Sequence, residues 1–270
     1  MEGEEKLSQK RYEDLTFTDD FLFCKILSNN EVLCKELLEL ILDIKIRKVV
    51  VAKDQQYIAI TANAKSIRLD VYVEDEENSV YDIEMQATKK KNLPKRSRYY
   101  QGIIDLNLIE KGADYNSLKK SYVIFICLTD PFDEGRHIYT FENRCRQNPS
   151  LLLGDETTKV FINASGTQDD VSPEMADFLL YLREGVGNSN LVKKIDREVQ
   201  SARDHKEWRT EYMTLQMKLD EAREEGKEEG RFLALQDLVS AGVISIEMAS
   251  EMMGISKEEF SERVKNLNEE

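Results

Sequence analysis

Residues 68–86, RLDVYVEDEENSVYDIEMQ, contain two alternating runs of apolar and polar residues around a loop of acids and Asn. Alternation with a period of two is typical of a β-strand that buries one face and exposes the other. We therefore predict an antiparallel hairpin. Its polar face carries Asp70 on the first strand, and Asp82, Glu84 and Gln86 on the second. Because like charges on opposite strands destabilise a sheet, this face needs a chemical explanation.

The register of the hairpin determines which acids meet. With a turn centred on Glu77, Asp70 pairs with Glu84 and Tyr72 pairs with Asp82, and the Cβ atoms of paired residues are about 5 Å apart. A turn shifted by one residue would send Asp70 to the face opposite Glu84. In the first register the other face is apolar and consists of Leu69, Val71, Val73, Ile83 and Met85.

Two interpretations explain the paired acids. A divalent cation with oxygen ligands would relieve their repulsion, with Asp70, Glu84 and the Met85 carbonyl as ligands and Gln86 facing the ion or its water. Alternatively, the acids form the hydrated outer face of an edge hairpin and Arg68 screens them. Charged outer faces are common, so the spacing of the acids is compatible with both interpretations.

Composition restricts the class of protein. The 270 residues are enough for one large domain and an accessory region, and 41% of them are hydrophobic, which excludes a disordered chain. A net charge of −14 opposes long-range attraction to nucleic acid. We find no signal-like or membrane-spanning apolar segment, so we expect a cytoplasmic protein without a membrane partner.

The cysteines form no CxxC pair, which argues against structural zinc and favours reduced buried thiols: Cys24, Cys34, Cys127 and Cys145.

The order of the predicted elements indicates an α/β or α+β domain over residues 1–190, with one mixed sheet flanked by helices. A first helix begins after Thr18, which we expect to cap it, with Asp19 and Asp20 in its first turn. A later helix begins at Pro94 and ends by Gly112. Residues 121–128, SYVIFICL, have the continuous apolar character of a central strand. Other segments with strand or helix periodicity are residues 30–43, 45–52, 137–145, 158–165 and 173–185.

The C-terminal part of the chain is predicted to be all-α. Residues 191–231 form a long helix with a short coiled-coil seam, which would join two copies as a homodimer or cover the first domain of its own chain. Two glycines in EEGKEEGRF interrupt this seam. The seam residues are Trp208, Tyr212, Leu215, Leu219, Ala222 and Gly226.

Residues 232–270 are predicted to form a small helical bundle, in which Ser256 and Glu259 make a capping box. A DNA-reading helix-turn-helix is disfavoured because acids and bases balance in KEEFSERVKN, the segment that would enter the groove. We interpret this bundle as a packing or assembly module.

Asp70, followed after a gap by Glu84-Met85-Gln86, resembles the PD-(D/E)xK nuclease motif, with Gln86 in the place of the motif Lys. Five segments in order, covering residues 15–255, are similar to the Rpn family of recombination-promoting nucleases, also described as transposases. They are FTDDFLFCKIL, RLDVYV, YDIEMQ, KRSRYYQGIID and EEGKEEGRFLALQDLVSAGVISIEMASEMMGIS.

This resemblance implies a restriction-endonuclease-like fold and metal-dependent cleavage of DNA. Asp70 and Glu84 would hold Mg²⁺ or Mn²⁺, and a water would be activated beside Gln86. Gln is neutral and cannot supply the positive charge that the motif Lys provides. Gln can still orient a water, and a cation from another position could substitute for the Lys; the nearby candidates are Arg68, Lys89 and Arg98.

A basic stretch follows the motif and supports a DNA substrate. It contains six bases and no acid: Lys89, Lys90, Lys91, Lys95, Arg96 and Arg98. We expect these side chains to bind phosphates, although a solvated loop and helix start is the alternative. Residues that would assist the site are Asp19, Asp20, Arg68, Tyr99 and Tyr100.

Two hypotheses about function therefore remain. The first is a Mg²⁺-dependent DNA endonuclease linked to recombination or transposition. The second is a DNA- or partner-binding module of the same fold, with little or no activity and with the C-terminal helices as an assembly segment. A cation within reach of Asp70 and Glu84 would favour the first hypothesis.

Overall fold

The structure is a computed structural model that describes residues 10–52, 57–58 and 67–269. The chain forms two compact units, Met1–His205 and Lys206–Glu270. Within the described residues, no helix combines the length and the apolar character needed to cross a bilayer.

The first unit contains five α-helices and eight strands in its described part. The helices are α1 (Asp20–Asn29), α2 (Glu31–Leu42), α3 (Leu93–Leu108), α4 (Pro173–Glu184) and α5 (Asn190–Arg203). The strands are β1 (Val49–Val51), β2 (Tyr57–Ile58), β3 (Ile67–Arg68), β4 (Val71–Asp75), β5 (Ser79–Gln86), β6 (Lys120–Cys127), β7 (Ile138–Phe141) and β8 (Thr157–Asn163).

Six strands form one mixed sheet in the order β1-β4-β5-β6-β8-β7, and β2 pairs with β3 separately. Strands β5, β6 and β8 are parallel, whereas the outer pairs are antiparallel. Strand β6 lies between parallel neighbours and is buried from Ser121 to Cys127, as its apolar sequence predicts. The predicted mixed sheet with flanking helices, followed by an all-α extension, is confirmed.

The predicted hairpin forms in the predicted register, since Tyr72 pairs with Asp82 and Val71 pairs with Ile83. Its setting differs from that of an edge hairpin. Strand β5 pairs with β6 on its other side, and all eight of its residues are buried. The interpretation of the acids as a hydrated outer face is therefore wrong, because Asp82 and Glu84 of β5 are buried.

Helix α3 packs on the acidic face of the sheet, and α1 and α2 pack against β1 and β4. Leu69 belongs to the α3 side, where it clusters with Tyr72 and Leu93, and not to the opposite face as predicted. The chain bends at Asp70, which interrupts the alternation just before β4 begins.

Helix α1 begins one residue later than predicted, with Asp19 in the capping position instead of Thr18. The Asp19 carboxylate accepts hydrogen bonds from the Thr16 N–H (2.8 Å) and from Lys10 (2.8 Å). Helix α3 has Pro94 in its first turn, as expected. It ends at Leu108, before Gly112, because the backbone is already extended at Ile109.

The first unit extends to residue 205 and not to 190, because α5 belongs to it. The apolar stripe of α5 is buried, and α5 packs against α1, α2 and α4. The Asn30 amide donates to Glu198 (3.0 Å), and the Tyr12 hydroxyl donates to the Ala202 carbonyl (2.6 Å). The segment predicted as one long helix is therefore two helices, and only the second lies outside the sheet domain.

The second unit consists of α6 (Lys206–Ser240), α7 (Ile246–Met253) and α8 (Lys257–Glu269). Its core comprises Phe232, Leu235, Ala249 and Phe260. Helix α6 continues through both glycines of EEGKEEGRF, so they do not interrupt it. Ser256 caps α8 by accepting from the Glu259 N–H (3.1 Å), as its sequence indicates.

Candidate active site

Asp70 and Glu84 are joined by reciprocal bonds between side chain and backbone. The Asp70 N–H donates to Glu84 Oε1 (3.1 Å), and the Met85 N–H donates to Asp70 Oδ2 (3.3 Å). These bonds continue the β4–β5 pairing beyond the bend, with carboxylates in place of carbonyl oxygens. Glu84 is only 3% exposed, whereas Asp70 is half-buried, so the predicted pair lies where the protein interior meets solvent.

Asp82 adds a third carboxylate to the same face. It is completely buried, and neither of its carboxylate oxygens has a hydrogen-bond partner within the described residues. Burial raises the pKa of Asp82 well above its usual value, and the negative charge of Asp70 raises it further. Burial also raises the pKa of Glu84, again with contributions from Asp82 and Asp70. The charge of Asp70 therefore disfavours the ionised forms of both Asp82 and Glu84.

One guanidinium opposes these acids. Arg96 on α3 donates from Nη2 to Glu84 Oε2 (3.1 Å) and to the Tyr100 hydroxyl (2.9 Å). It donates from Nη1 to Gln86 Oε1 (2.8 Å). The guanidinium carbon lies 5.3 Å from the ring centroid of Tyr100 and 5.2 Å from that of Phe125. Arg96 is thus fixed by three hydrogen bonds and two aromatic rings.

The sequence of α3 explains this placement. Arg96 and Tyr100 are four residues apart and share the helix face that packs on the sheet. Arg98 lies on the exposed side, and Tyr99 is 38% exposed. The sequence places Arg96 in the predicted phosphate-binding stretch and does not by itself reveal the contact of Arg96 with the acids. The spacing of Arg96 and Tyr100 on a predicted helix is the signal that could have indicated it.

The other predicted cations are placed differently. Lys89 forms an ion pair with Asp133, and Lys90, Lys91 and Lys95 are exposed. The side chain of Arg68 lies outside the part of the chain that the structure describes. Of the three candidates named to replace the motif Lys, Lys89 is therefore paired with an acid of another loop and Arg98 faces solvent. The cation beside Glu84 is Arg96.

Gln86, in the position of the motif Lys, is also fixed. Its Oε1 accepts from Arg96, and its Nε2 donates to the Thr88 carbonyl (2.7 Å). Asp19 is bound to Lys10 and Thr16 near its own helix start. Asp20 is an exposed residue of the first turn of α1. Local helix contacts thus explain Asp19 without a role in the acidic cluster.

The site can hold a cation through a small set of ligands. Among the described residues, no three His, Cys, Asp or Glu side chains are arranged to hold one metal ion. Asp70 and Glu84 supply two carboxylates, and Asp82 adds two buried oxygens that have no hydrogen-bond partner among the described residues. This donor set fits a hard cation that takes its other ligands from backbone, water or substrate.

Comparison with known proteins extends these observations. One family model, described as PD-(D/E)XK nuclease family transposase, matches residues 17–161. This segment contains the acidic hairpin, Arg96 and the start of the last parallel strand. Searches of curated proteins and of solved structures returned no match. The family match covers more than half of the chain and confirms the resemblance seen in the motifs. This protein therefore belongs to the family of PD-(D/E)XK nuclease family transposases.

Proposed function

We propose that this protein is a metal-dependent DNA endonuclease that hydrolyses phosphodiester bonds in recombination or transposition. The observation that carries the proposal is the arrangement of half-buried Asp70 beside buried Glu84, held by hydrogen bonds between their strands, with Arg96 bound to Glu84. We also place the protein in the cytoplasm, since its four cysteines are all free thiols.

Charge balance in the pocket supports a bound cation. The negative charge of Asp70 raises the pKa of both Asp82 and Glu84, and Arg96 is the base that forms an ion pair with Glu84 in the described structure. A buried pocket with more acids than bases must take up protons or bind a cation. A divalent ion would replace the protons and leave the carboxylates as ligands.

We assign the ligands to Asp70, Glu84 and the carbonyl of Met85, with Mg²⁺ or Mn²⁺ as the ion. The N–H and C=O of one strand residue point to the same neighbouring strand. The Met85 N–H points to Asp70, whereas the Gln86 carbonyl accepts from Leu128 on the β6 side. The Met85 carbonyl is therefore directed towards Asp70. When bound, a divalent ion would polarise the phosphodiester and lower the pKa of an attacking water.

The DNA contacts belong to the exposed bases around the start of α3. Lys90, Lys91, Lys95 and Arg98 are exposed next to a pocket that is otherwise acidic. Such side chains bind phosphates and fix the position of the duplex without reading its sequence. We propose that a second copy binds through the predicted seam of α6, where Leu219 is exposed, so that two active sites face the two strands.

The competing hypothesis is an inactive binding module of the same fold, and Gln86 in place of the motif Lys favours it. The contact of Arg96 with both Glu84 and Gln86 favours the enzyme, because it restores a positive charge at that place.

Nicking of supercoiled plasmid tests the proposal. We expect relaxed and linear products with Mg²⁺ and none with EDTA. Asp70→Asn and Glu84→Gln should each lower the rate by about 10²-fold or more, because each removes charge from the reacting centre. Glu174→Gln, at an exposed position of α4, is the matched control and should cut normally. Unchanged rates in the two site variants would exclude this assignment.

A further inference from the structure

We propose that Arg96 supplies the catalytic positive charge that Gln86 cannot supply, and that Tyr100 and Phe125 hold it there. This inference rests on the proposed nuclease function and names the residue that completes its site. The charge comes from helix α3 and not from the strand that carries the motif.

The position of the guanidinium carries the inference. Nη1 is 2.8 Å from Gln86 Oε1, so the charge lies directly beside the side chain at the motif Lys position. Nη2 is 3.1 Å from Glu84 Oε2. Arg96 therefore touches the two motif side chains of β5 at once, in the place where a Lys at position 86 would carry its ammonium group.

Rigidity distinguishes Arg96 from the phosphate-binding lysines. The Tyr100 hydroxyl accepts from Nη2 (2.9 Å), and the rings of Tyr100 and Phe125 contact the guanidinium. The Arg96 side chain is 30% exposed, whereas Lys90 and Lys91 lie openly in solvent. A preorganised charge in a partly desolvated site stabilises developing negative charge better than a mobile one does. Tyr100 and Phe125 are thus positioning residues.

The exposed fraction of Arg96 gives it access to substrate. A guanidinium has five N–H donors, and three hydrogen bonds use part of this set. The remaining donors can reach a phosphate oxygen that lies over the acid pair. Arg96 would then stabilise the charge that builds up on the phosphate during hydrolysis, without taking or giving a proton.

A rescue experiment tests this assignment. Arg96→Met removes the charge, and the double variant Gln86→Lys/Arg96→Met returns a cation to the motif position. We expect Arg96→Met to lower the nicking rate by about 10²-fold or more, and the double variant to recover at least about tenfold of that decrease. Arg183→Met, at an exposed site on α4, is the control and should match the wild type. Thermal melting of every variant checks folding.

A second measurement separates catalysis from simple binding. Fluorescence anisotropy with a labelled duplex in EDTA gives DNA affinity without cleavage. A catalytic role predicts that Arg96→Met changes this affinity by less than about threefold. A phosphate anchor predicts weaker binding and a salt dependence flatter by about one unit of slope. The second result would overturn the inference.

Each remaining outcome also has a defined meaning. A wild type that cuts, together with an Arg96→Met variant that cuts equally well, refutes this inference and leaves the nuclease function intact. A wild type that never cuts removes the function and the inference together. If Arg96→Met does not fold, a folded double variant decides, because cutting supports the role and no cutting refutes it. If neither variant folds, Arg96→Lys decides. An Arg96→Lys variant that keeps at least about a tenth of the wild-type nicking rate supports the role, and a slower variant refutes it.

Discussion

At the scale of single residues, Asp82 determines how the site responds to protons. Its oxygens are buried without partners, and burial followed by the charge of Asp70 raises its pKa. The folded state therefore binds a proton that the unfolded chain releases above about pH 4. By linkage, the free energy of unfolding falls as pH rises from about 4 towards the raised pKa of the folded state.

This linkage yields a prediction for Asp82→Asn. The variant cannot ionise at this position, so its stability relative to wild type should increase as pH rises from about 4 to 8. Urea unfolding in EDTA at several pH values measures the difference. Serving as the control, Asp169→Asn at an exposed loop position should follow the wild-type curve. A stability difference independent of pH would mean that Asp82 is ionised and compensated in the folded protein.

At this scale the sequence predicts the contacts between residues that lie within the same hairpin. A turn centred on Glu77 places Asp70 opposite Glu84. The hydrogen bonds that Asp70 forms with Glu84 and Met85 follow from that register. The contact of Arg96 was not accessible in this way. It depends on where α3 crosses the sheet, and β-strand alternation contains no information about that crossing.

At the scale of elements, α3 presents different side chains on its two faces. Its inner face carries Arg96 and Tyr100 against the acids, and its outer face carries Lys95 and Arg98 to solvent. The loop before it exposes Lys90 and Lys91 and holds Lys89 against Asp133. The basic stretch thus separates into a fixed part beside the acids and an exposed part.

The exposed part gives a prediction about salt. Lys90→Gln/Lys91→Gln should weaken DNA binding for every sequence and flatten log affinity against log salt by about one unit for each phosphate ion pair that the substitutions remove. Lys89→Gln should have a smaller effect, since Lys89 is already paired with Asp133. Anisotropy titrations at several salt concentrations measure both, with Lys111→Gln at a distant exposed position as control. Equal slopes for wild type and the double variant would exclude a phosphate contact.

Element prediction was most accurate for helix starts and for the central strand. It failed for the environment of β5, because burial of that strand depends on parallel pairing with β6. The crossover from β5 to β6 contains the whole of α3. Local periodicity therefore indicated a half-exposed strand where the protein has a buried one.

At the scale of the whole molecule, the boundary between the two units determines which parts can be removed. Helix α5 is part of the sheet domain, where Leu191, Ile195 and Val199 are buried. Its amphipathic pattern resembles that of the following helix, so the sequence predicts one continuous helix and a boundary at 190. Packing with α1, α2 and α4 makes residue 205 the end of the first unit.

Cleavage of both strands of a duplex is most simply done by two active sites, and the sequence offers one acidic hairpin. Helix α6 has the means to provide the second site by dimerisation, because Leu219 of its predicted seam is 52% exposed. We predict that the full-length protein is a dimer and that residues 1–205 fold as a monomer. The truncated protein should shift from linear plasmid products towards nicked ones. A truncation at 190 should melt at a lower temperature, since it exposes the surface that α5 covers.

Light scattering at tens of micromolar chain gives the oligomeric state of each form, and agarose gels give the ratio of linear to nicked plasmid. Full-length Leu219→Glu offers a test without truncation, because a charge at the predicted seam should dissociate the dimer and leave the sheet domain intact. Thr214→Glu, at an exposed position of the same helix away from the seam, controls for the change in charge. A truncated protein that stays dimeric and still linearises plasmid would place the interface in the sheet domain. In that case α6 would have no part in bringing the two active sites together.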